Sequence, residues 1–259
     1  MITQPKGVTT ICIKARYEYL RPFIERLPDI MDTQGTYIYG GRRNLIKCFT
    51  APDGTLLNVK RYHTPRGLNK LIYSFALRKP KGLRAYTYPD ILLPKGIATP
   101  EPVAYIEQRH RHLLGQSYFV SLQCPYQHRL YELGDAPAAV YEPMADALAH
   151  FAAHMHNQGV LHLDFSPGNV LWDKDAQGHY HFSIVDINRM RFGHVSARQG
   201  CKSFTRLWGP KQFIVLLTRT YASLRGFNAD SCVAYTLRLR AKFWKHYQKK
   251  REMEFHLEL

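Results

Sequence analysis

The stretch from His162 to Asn188 constrains this chain most. It reads His162-Leu163-Asp164-Phe165-Ser166-Pro167-Gly168-Asn169-Val170-Leu171-Trp172, then a turn, then Phe182-Ser183-Ile184-Val185-Asp186-Ile187-Asn188. The pattern H-x-D-x-x-x-x-N, followed by an apolar strand that ends in Asp, suits phosphoryl transfer from a nucleotide. Asp164 stands where a base accepts a hydroxyl proton. Asn169, five positions on, offers an oxygen to a metal ion, and Asp186 at the strand end can bridge that ion to phosphates. Each group is common alone, since Asp and Asn form loops around sequences such as Ser166-Pro167-Gly168. Three of them at this spacing, interleaved with the apolar pieces Val160-Leu161, Val170–Trp172 and Phe182–Ile187, outweigh that plainer explanation.

With these motifs the sequence resembles the lipopolysaccharide kinases of the Kdo and core-heptose kinase group, small bacterial enzymes of the protein-kinase-like superfamily. The resemblance rests on His-Leu-Asp-Phe-Ser-Pro-Gly-Asn and Val-Asp-Ile-Asn-Arg-Met. It extends from about Tyr37 to about Met190 through Gly40-Gly41-Arg42-Arg43-Asn44, Val59-Lys60-Arg61-Tyr62 and Gly96–Pro102. It implies an α+β, bilobal, protein-kinase-like fold with a small β-rich N-lobe and a mostly helical C-lobe. The expected divisions are an N-terminal extension over 1–36, the N-lobe over 37–123 and the C-lobe over 124–259.

Length and composition agree with that outline. A chain of 259 residues with 45% hydrophobic content can bury one large core or two smaller lobes. The opening Met1–Thr10 has no apolar run and Phe213–Leu217 is too short to span a bilayer, so a soluble, cytoplasmic chain is expected. Cys12, Cys48, Cys124, Cys201 and Cys232 are odd in number and never spaced C-x-x-C, which argues against a disulfide framework or a zinc knuckle. The net charge of +16 favours anionic partners: nucleic acid, an acidic membrane surface or a phosphorylated glycolipid. No zinc-finger spacing or aromatic RNA-binding motif supports the first, and no nucleic acid is expected.

Along the chain, residues 37–59 alternate around the turn signals Gly40-Gly41 and Asp53-Gly54, as a hairpin does. In a kinase-like lobe the first turn covers the nucleotide phosphates, with Gly40 and Gly41 allowing close approach and Arg42 or Arg43 adding charge; two glycines are also simply hairpin chemistry. Lys60, at a strand end, is expected to hold the α and β phosphates. The resemblance calls for a partner glutamate in a Tyr-Glu-Tyr triplet, but this chain has Tyr86-Thr87-Tyr88. Asp90 could replace it, or the pair is absent. The backbone near Leu122, Gln123 and Cys124 is the expected hinge and adenine contact. A helix is expected over Ala138–Asn157, where His150 and His154 read as ordinary histidines rather than metal ligands.

After Asp186 come Ile187-Asn188 rather than Phe-Gly, and no Ala-Pro-Glu anchor follows, which argues against a regulated activation loop. Arg189, Arg191, Arg198, Lys202 and Arg206 place positive charge near the catalytic stretch, where arginine forks suit phosphate or the carboxylate of Kdo; a solvated basic segment is the alternative. The last third is helical by period, and its basic, aromatic end reads as a tail helix packed on the large lobe or as a contact with the anionic inner membrane surface. The expectation is an ATP- and Mg2+-dependent kinase of a sugar hydroxyl, Kdo or heptose, with Kdo-containing lipid A or lipopolysaccharide core as acceptor. Asp164, Lys60 and Asn169 would be catalytic, and Asn169 and Asp186 would bind metal. The alternatives keep the fold: a minimal protein kinase, a small-molecule phosphotransferase, or a nucleotide-binding pseudokinase.

Overall fold

The computed structural model describes residues 7–41, 44–65, 67, 72–74 and 79–258. The chain divides into two compact units, one of residues 1–94 with 99–125 and the other of residues 95–98 with 126–259.

The first unit is built on a six-stranded antiparallel sheet in the order β1-β5-β6-β4-β3-β2. Its strands are β1 (Val8–Ile13), β2 (Thr36–Gly40), β3 (Asn44–Thr50), β4 (Leu56–Tyr62), β5 (Pro102–His110) and β6 (Leu113–Leu122). Both turn signals act as expected. Gly40 ends β2 before the connection to β3, and Asp53-Gly54 lies between β3 and β4. Gly54 takes φ 86°, a conformation that costs glycine little, and Asp53 Oδ1 accepts the Thr55 N–H at 3.0 Å.

Side chains alternate across a strand, and this sets the sheet's two faces. Leu57 and Val59 of β4 join Val103, Ile106, Tyr118 and Val120 in one buried cluster. Tyr17, Leu20, Ile24, Leu27 and Met31 cover that cluster, the last four around helix α1 (Arg21–Ile30). The segment set apart in the sequence as an extension is therefore part of this core, and β1 pairs with β5 from Val8↔Arg109 to Ile13↔Ala104. Lys60 stands on the opposite face, in register with Phe119, which is in turn opposite Tyr105. Helix α2 (Lys81–Thr87) packs on that second face so closely that a Cβ at Gly82 would lie 2.7 Å from the Tyr105 ring. Pro89 opens a separate short helix, α3 (Pro89–Leu92), because its ring suits a first helical turn and not an interior.

The second unit begins with short strand β7 (His128–Arg129) and helix α4 (Ala138–Asn157), the latter with the predicted bounds. Met144, Leu148, Ala152 and Met155 of α4 are fully buried at helical spacing. Two small sheets follow. β8 (Val160–His162) pairs with β11 (Met190–Phe192), while β9 (Val170–Lys174) lies between β7 and β10 (Tyr180–Ile184). Helices α5 (Ala197–Ser203), α6 (Lys211–Leu224) and α7 (Ala229–Gln248) complete the unit. α7 buries Cys232, Val233, Thr236, Arg240 and Trp244, so the basic aromatic helix is packed on its own unit. Among the described residues no helix is long and apolar enough to cross a membrane.

Candidate active site

The second unit gathers Asp164, Asn169 and Asp186 through the pairing of β8 with β11 and of β9 with β10. Antiparallel pairing sets Met190 opposite His162 and Ile184 opposite Val170, which draws the loops after His162 and after Ile184 together. Backbone bonds fasten them. The Leu163 N–H donates to the Arg189 carbonyl at 2.9 Å and the Val185 N–H to the Asn169 carbonyl at 3.0 Å.

His162, 1% exposed, is the bridge between the two loops. Its Nδ1 accepts the Asp164 backbone N–H at 3.1 Å, which requires a lone pair there. Its Nε2 therefore carries the proton and donates to the Val185 carbonyl at 3.0 Å. The ring thus ties the Asp164 backbone to the strand end that carries Asp186. The motif's histidine has a structural reason that its place in the pattern alone did not reveal.

Asn169 donates from Nδ2 to the Asp164 carbonyl at 2.9 Å. That bond fixes the amide and leaves Oδ1 as its acceptor end. Asp186 takes φ 55° and ψ 38°, a left-handed conformation that Asp tolerates better than most residues and that often marks a functional turn. The buried Asn188 amide donates to Asp186 Oδ1. A carboxylate and an amide oxygen are hard donors of the kind Mg2+ prefers, so the donor set fits that ion.

Asp164 is 22% exposed at its side chain, and guanidinium groups face both of its oxygens: Arg206 is in contact with Oδ1, and Arg189 Nη1 lies 3.6 Å from Oδ2. The sequence put Arg206 in a basic run without naming its partner, which lies 42 positions away. Of the other residues in that run, Arg191 is committed elsewhere, donating to the His194 carbonyl and Gln199 Oε1. Arg198 and Lys202 are exposed.

The remaining candidates belong to the first unit. Lys60 is 9% exposed, its Nζ 5.3 Å from the centroid of the Tyr62 ring. Asp90, considered in place of a glutamate at Thr87, instead pairs with Lys14 at 2.7 Å. Glu107 lies on the Lys60 face, two residues along the register, buried and taken by the Tyr105 hydroxyl and Arg109. The Gly41 N–H closes the hairpin turn onto the Asn44 carbonyl at 3.0 Å, and Arg42 lies outside the described residues. At the end of β6 the Leu122 and Gln123 N–H groups donate to the Glu101 and Leu56 carbonyls, both at 2.9 Å. Gln123 Nε2 donates to the Cys124 carbonyl at 3.3 Å.

His150 and His154 are not a ligand pair. His154 Nε2 bonds the Lys95 carbonyl at 2.8 Å, while His150 faces Asp146 at 3.9 Å. Among the described residues no group of three or more His, Cys, Asp or Glu side chains could hold a metal ion.

Residues 39–212 match the family described as lipopolysaccharide kinase (Kdo/WaaP). No curated protein matches in sequence. Among solved structures, WaaP in complex with acyl carrier protein superposes with a TM-score of 0.59 at 18% identity, covering 91% of this chain and 99% of that one. The Rio2 kinase–ADP/Mg2+-phosphoaspartate complex from Chaetomium thermophilum gives 0.47 at 16% identity, covering 94% and 82%. The first superposition establishes a kinase-like fold.

Proposed function

The chain belongs to the lipopolysaccharide kinase (Kdo/WaaP) family, and from that premise we propose that it transfers the γ-phosphate of ATP to a sugar hydroxyl of the lipopolysaccharide inner core, on Kdo or a neighbouring heptose. The observation that carries this reading is the set of hydrogen bonds that ties Asp164 and Asn169 to Val185, the residue before Asp186, with His162 as the bridge.

In this reading Asp164 accepts the proton of the sugar hydroxyl as its oxygen forms a bond to the γ-phosphorus and the bond to the ADP oxygen breaks. Asn169 and Asp186 would hold Mg2+ through an amide and a carboxylate oxygen. When bound, the ion neutralises charge on the phosphates. Lys60 would hold the α and β phosphates, and the Gly40-Gly41 turn would let backbone N–H groups approach them, with Arg42, outside the described residues, as the expected added charge. The Leu122–Cys124 backbone would meet the adenine through groups other than the Leu122 and Gln123 N–H donors, which are committed to the Glu101 and Leu56 carbonyls. Little covalent work falls to the protein, and placement and charge supply most of the catalysis. The substrate sits at an anionic membrane surface, and the net charge of +16 supports peripheral contact there.

The test is transfer of labelled γ-phosphate from ATP and Mg2+ to Kdo-containing lipid A, with the Asp164→Ala protein and a generic protein acceptor alongside. Label on the glycolipid that disappears in the variant is the expected result. Label on protein alone points to a protein kinase, and nucleotide binding without label on either points to a pseudokinase.

A further inference from the structure

Two arginines hold the proposed base in an ion pair, and their surroundings show that one of them is placed there by packing. The Arg206 guanidinium contacts Asp164 Oδ1 and lies 5.5 Å from the centroid of the Phe243 ring on α7. The segment just after it is fastened by Arg240, 1% exposed, which donates from Nη1 to the Leu207 carbonyl and from Nη2 to the Gly209 carbonyl at 2.8 Å. Arg189 is fixed to the same loop by its own carbonyl, which accepts the Leu163 N–H. Both guanidinium groups remain open to solutes, with side chains 44% and 48% exposed.

In this state the Asp164 oxygens that would accept a hydroxyl proton face arginine. An arginine fork binds carboxylate and phosphate groups well, and it cannot give its best geometry to two at once. We infer that Arg206, assisted by Arg189, is the specificity-determining residue for an anionic group on the acceptor, and that Asp164 occupies its place until the acceptor arrives. A sugar bearing a carboxylate or phosphate next to the reacting hydroxyl draws Arg206 away from Asp164, and the carboxylate then becomes available to the hydroxyl. A neutral sugar leaves the pair closed. The inference rests on the assignment of Asp164 as the base in the proposed reaction, but the anion site itself can be tested without turnover.

The experiment measures equilibrium binding by calorimetry of three probes: the sugar acid Kdo, a heptose phosphate and the uncharged heptose. The proteins are the unaltered chain, Asp164→Asn, Arg206→Ala, Arg206→Lys and Phe243→Leu. Removing the internal competitor in Asp164→Asn is expected to tighten an anionic probe about threefold, the scale of an exposed ion pair. Arg206→Ala is expected to weaken it about tenfold or more, and Arg206→Lys, which keeps charge without the fork, should lie between. Phe243→Leu gives a milder loss with the Arg206–Asp164 pair chemically intact, and it stands in if Arg206→Ala does not fold. Neither Arg206 variant should change binding of the neutral heptose. Whether the sugar acid or the sugar phosphate responds identifies the group recognised.

Unchanged or weaker anion binding in Asp164→Asn overturns the inference, as do equal losses for charged and neutral probes or no anion binding by the unaltered chain. Absence of phosphoryl transfer to every acceptor would defeat the proposed reaction, while these binding results would still decide whether the anion site exists.

Discussion

At the scale of single residues, Asp164 and two histidines carry the sharpest consequences. Asp164→Ala should lower phosphoryl transfer by about 10²–10⁴-fold while nucleotide binding persists, measured by labelled transfer and by a fluorescent nucleotide. His162→Ala removes both bonds across the loops at a site 1% exposed. Its cost should be about 2–4 kcal/mol in urea unfolding. His156 makes a separate prediction. Its Nδ1 bonds the Tyr221 hydroxyl at 2.8 Å, and that hydroxyl accepts from Arg225 at 2.6 Å, so Tyr221 donates to a neutral imidazole. Burial, then the nearby Arg225 charge, pushes the His156 pKa down to about 3 from 6.5. The unfolded chain binds this proton below about pH 6.5 and the folded chain does not. The His156 contribution to stability is therefore full above pH 6.5 and falls as the pH drops from there toward 3. Chemical denaturation between pH 7 and 4 should show a loss that is smaller in His156→Gln.

At the scale of elements, close approach decides which helices tolerate change. α5 meets α6 at Gly200, where a Cβ would stand 1.9 Å from the Tyr221 hydroxyl. Alanine ordinarily favours a helix over glycine by about 1 kcal/mol, yet here it must displace Tyr221 from His156 and Arg225. Gly200→Ala should lower stability by about 1–3 kcal/mol, seen as a fall in Tm. The elements themselves were largely legible. α4 follows from the period of Met144, Leu148, Ala152 and Met155, and the β3–β4 turn follows from Asp53-Gly54. Residues 8–31, expected to stand apart within an N-terminal extension, instead supply β1 and α1 to the same core. Ile11 and Ile24 show apolar character to a reader of the sequence, whereas the β5 partners of β1 lie 91 to 101 residues on, from Ile13↔Ala104 to Val8↔Arg109, and local pattern does not reach that far.

At the scale of the whole molecule, the net charge of +16 and the exposed Arg238, Lys242, Lys245, Lys249 and Lys250 of the C-terminal region define how an anionic surface would be met. Trp244 is buried against Phe255, with ring centroids 5.4 Å apart, and is not offered for insertion. Contact with a membrane should then be electrostatic. Cosedimentation with vesicles of anionic phospholipid should fall steeply between low and moderate salt, since screening shortens the reach of surface charge to about 10 Å at 0.1 M. Binding that resists salt would point to apolar insertion instead.

The sequence by itself determined the chemistry of the proposed site: Asp164, Asn169 and Asp186 lie within one short β-rich stretch, where spacing along the chain largely dictates spacing in space. It also determined the family and, through alternation and helical period, most of the secondary structure. Only the tertiary structure decided which partner each charged candidate obtained within its own unit. Arg206 faces Asp164 because α7 supplies Phe243 and Arg240 to hold its segment, Asp90 is taken by Lys14, and Glu107 by Tyr105 and Arg109. The physical reason is that a charged side chain in the sequence announces that it will seek an opposite charge, whereas the partner it obtains depends on which elements pack together, and that depends on the fold of the chain beyond the local motif.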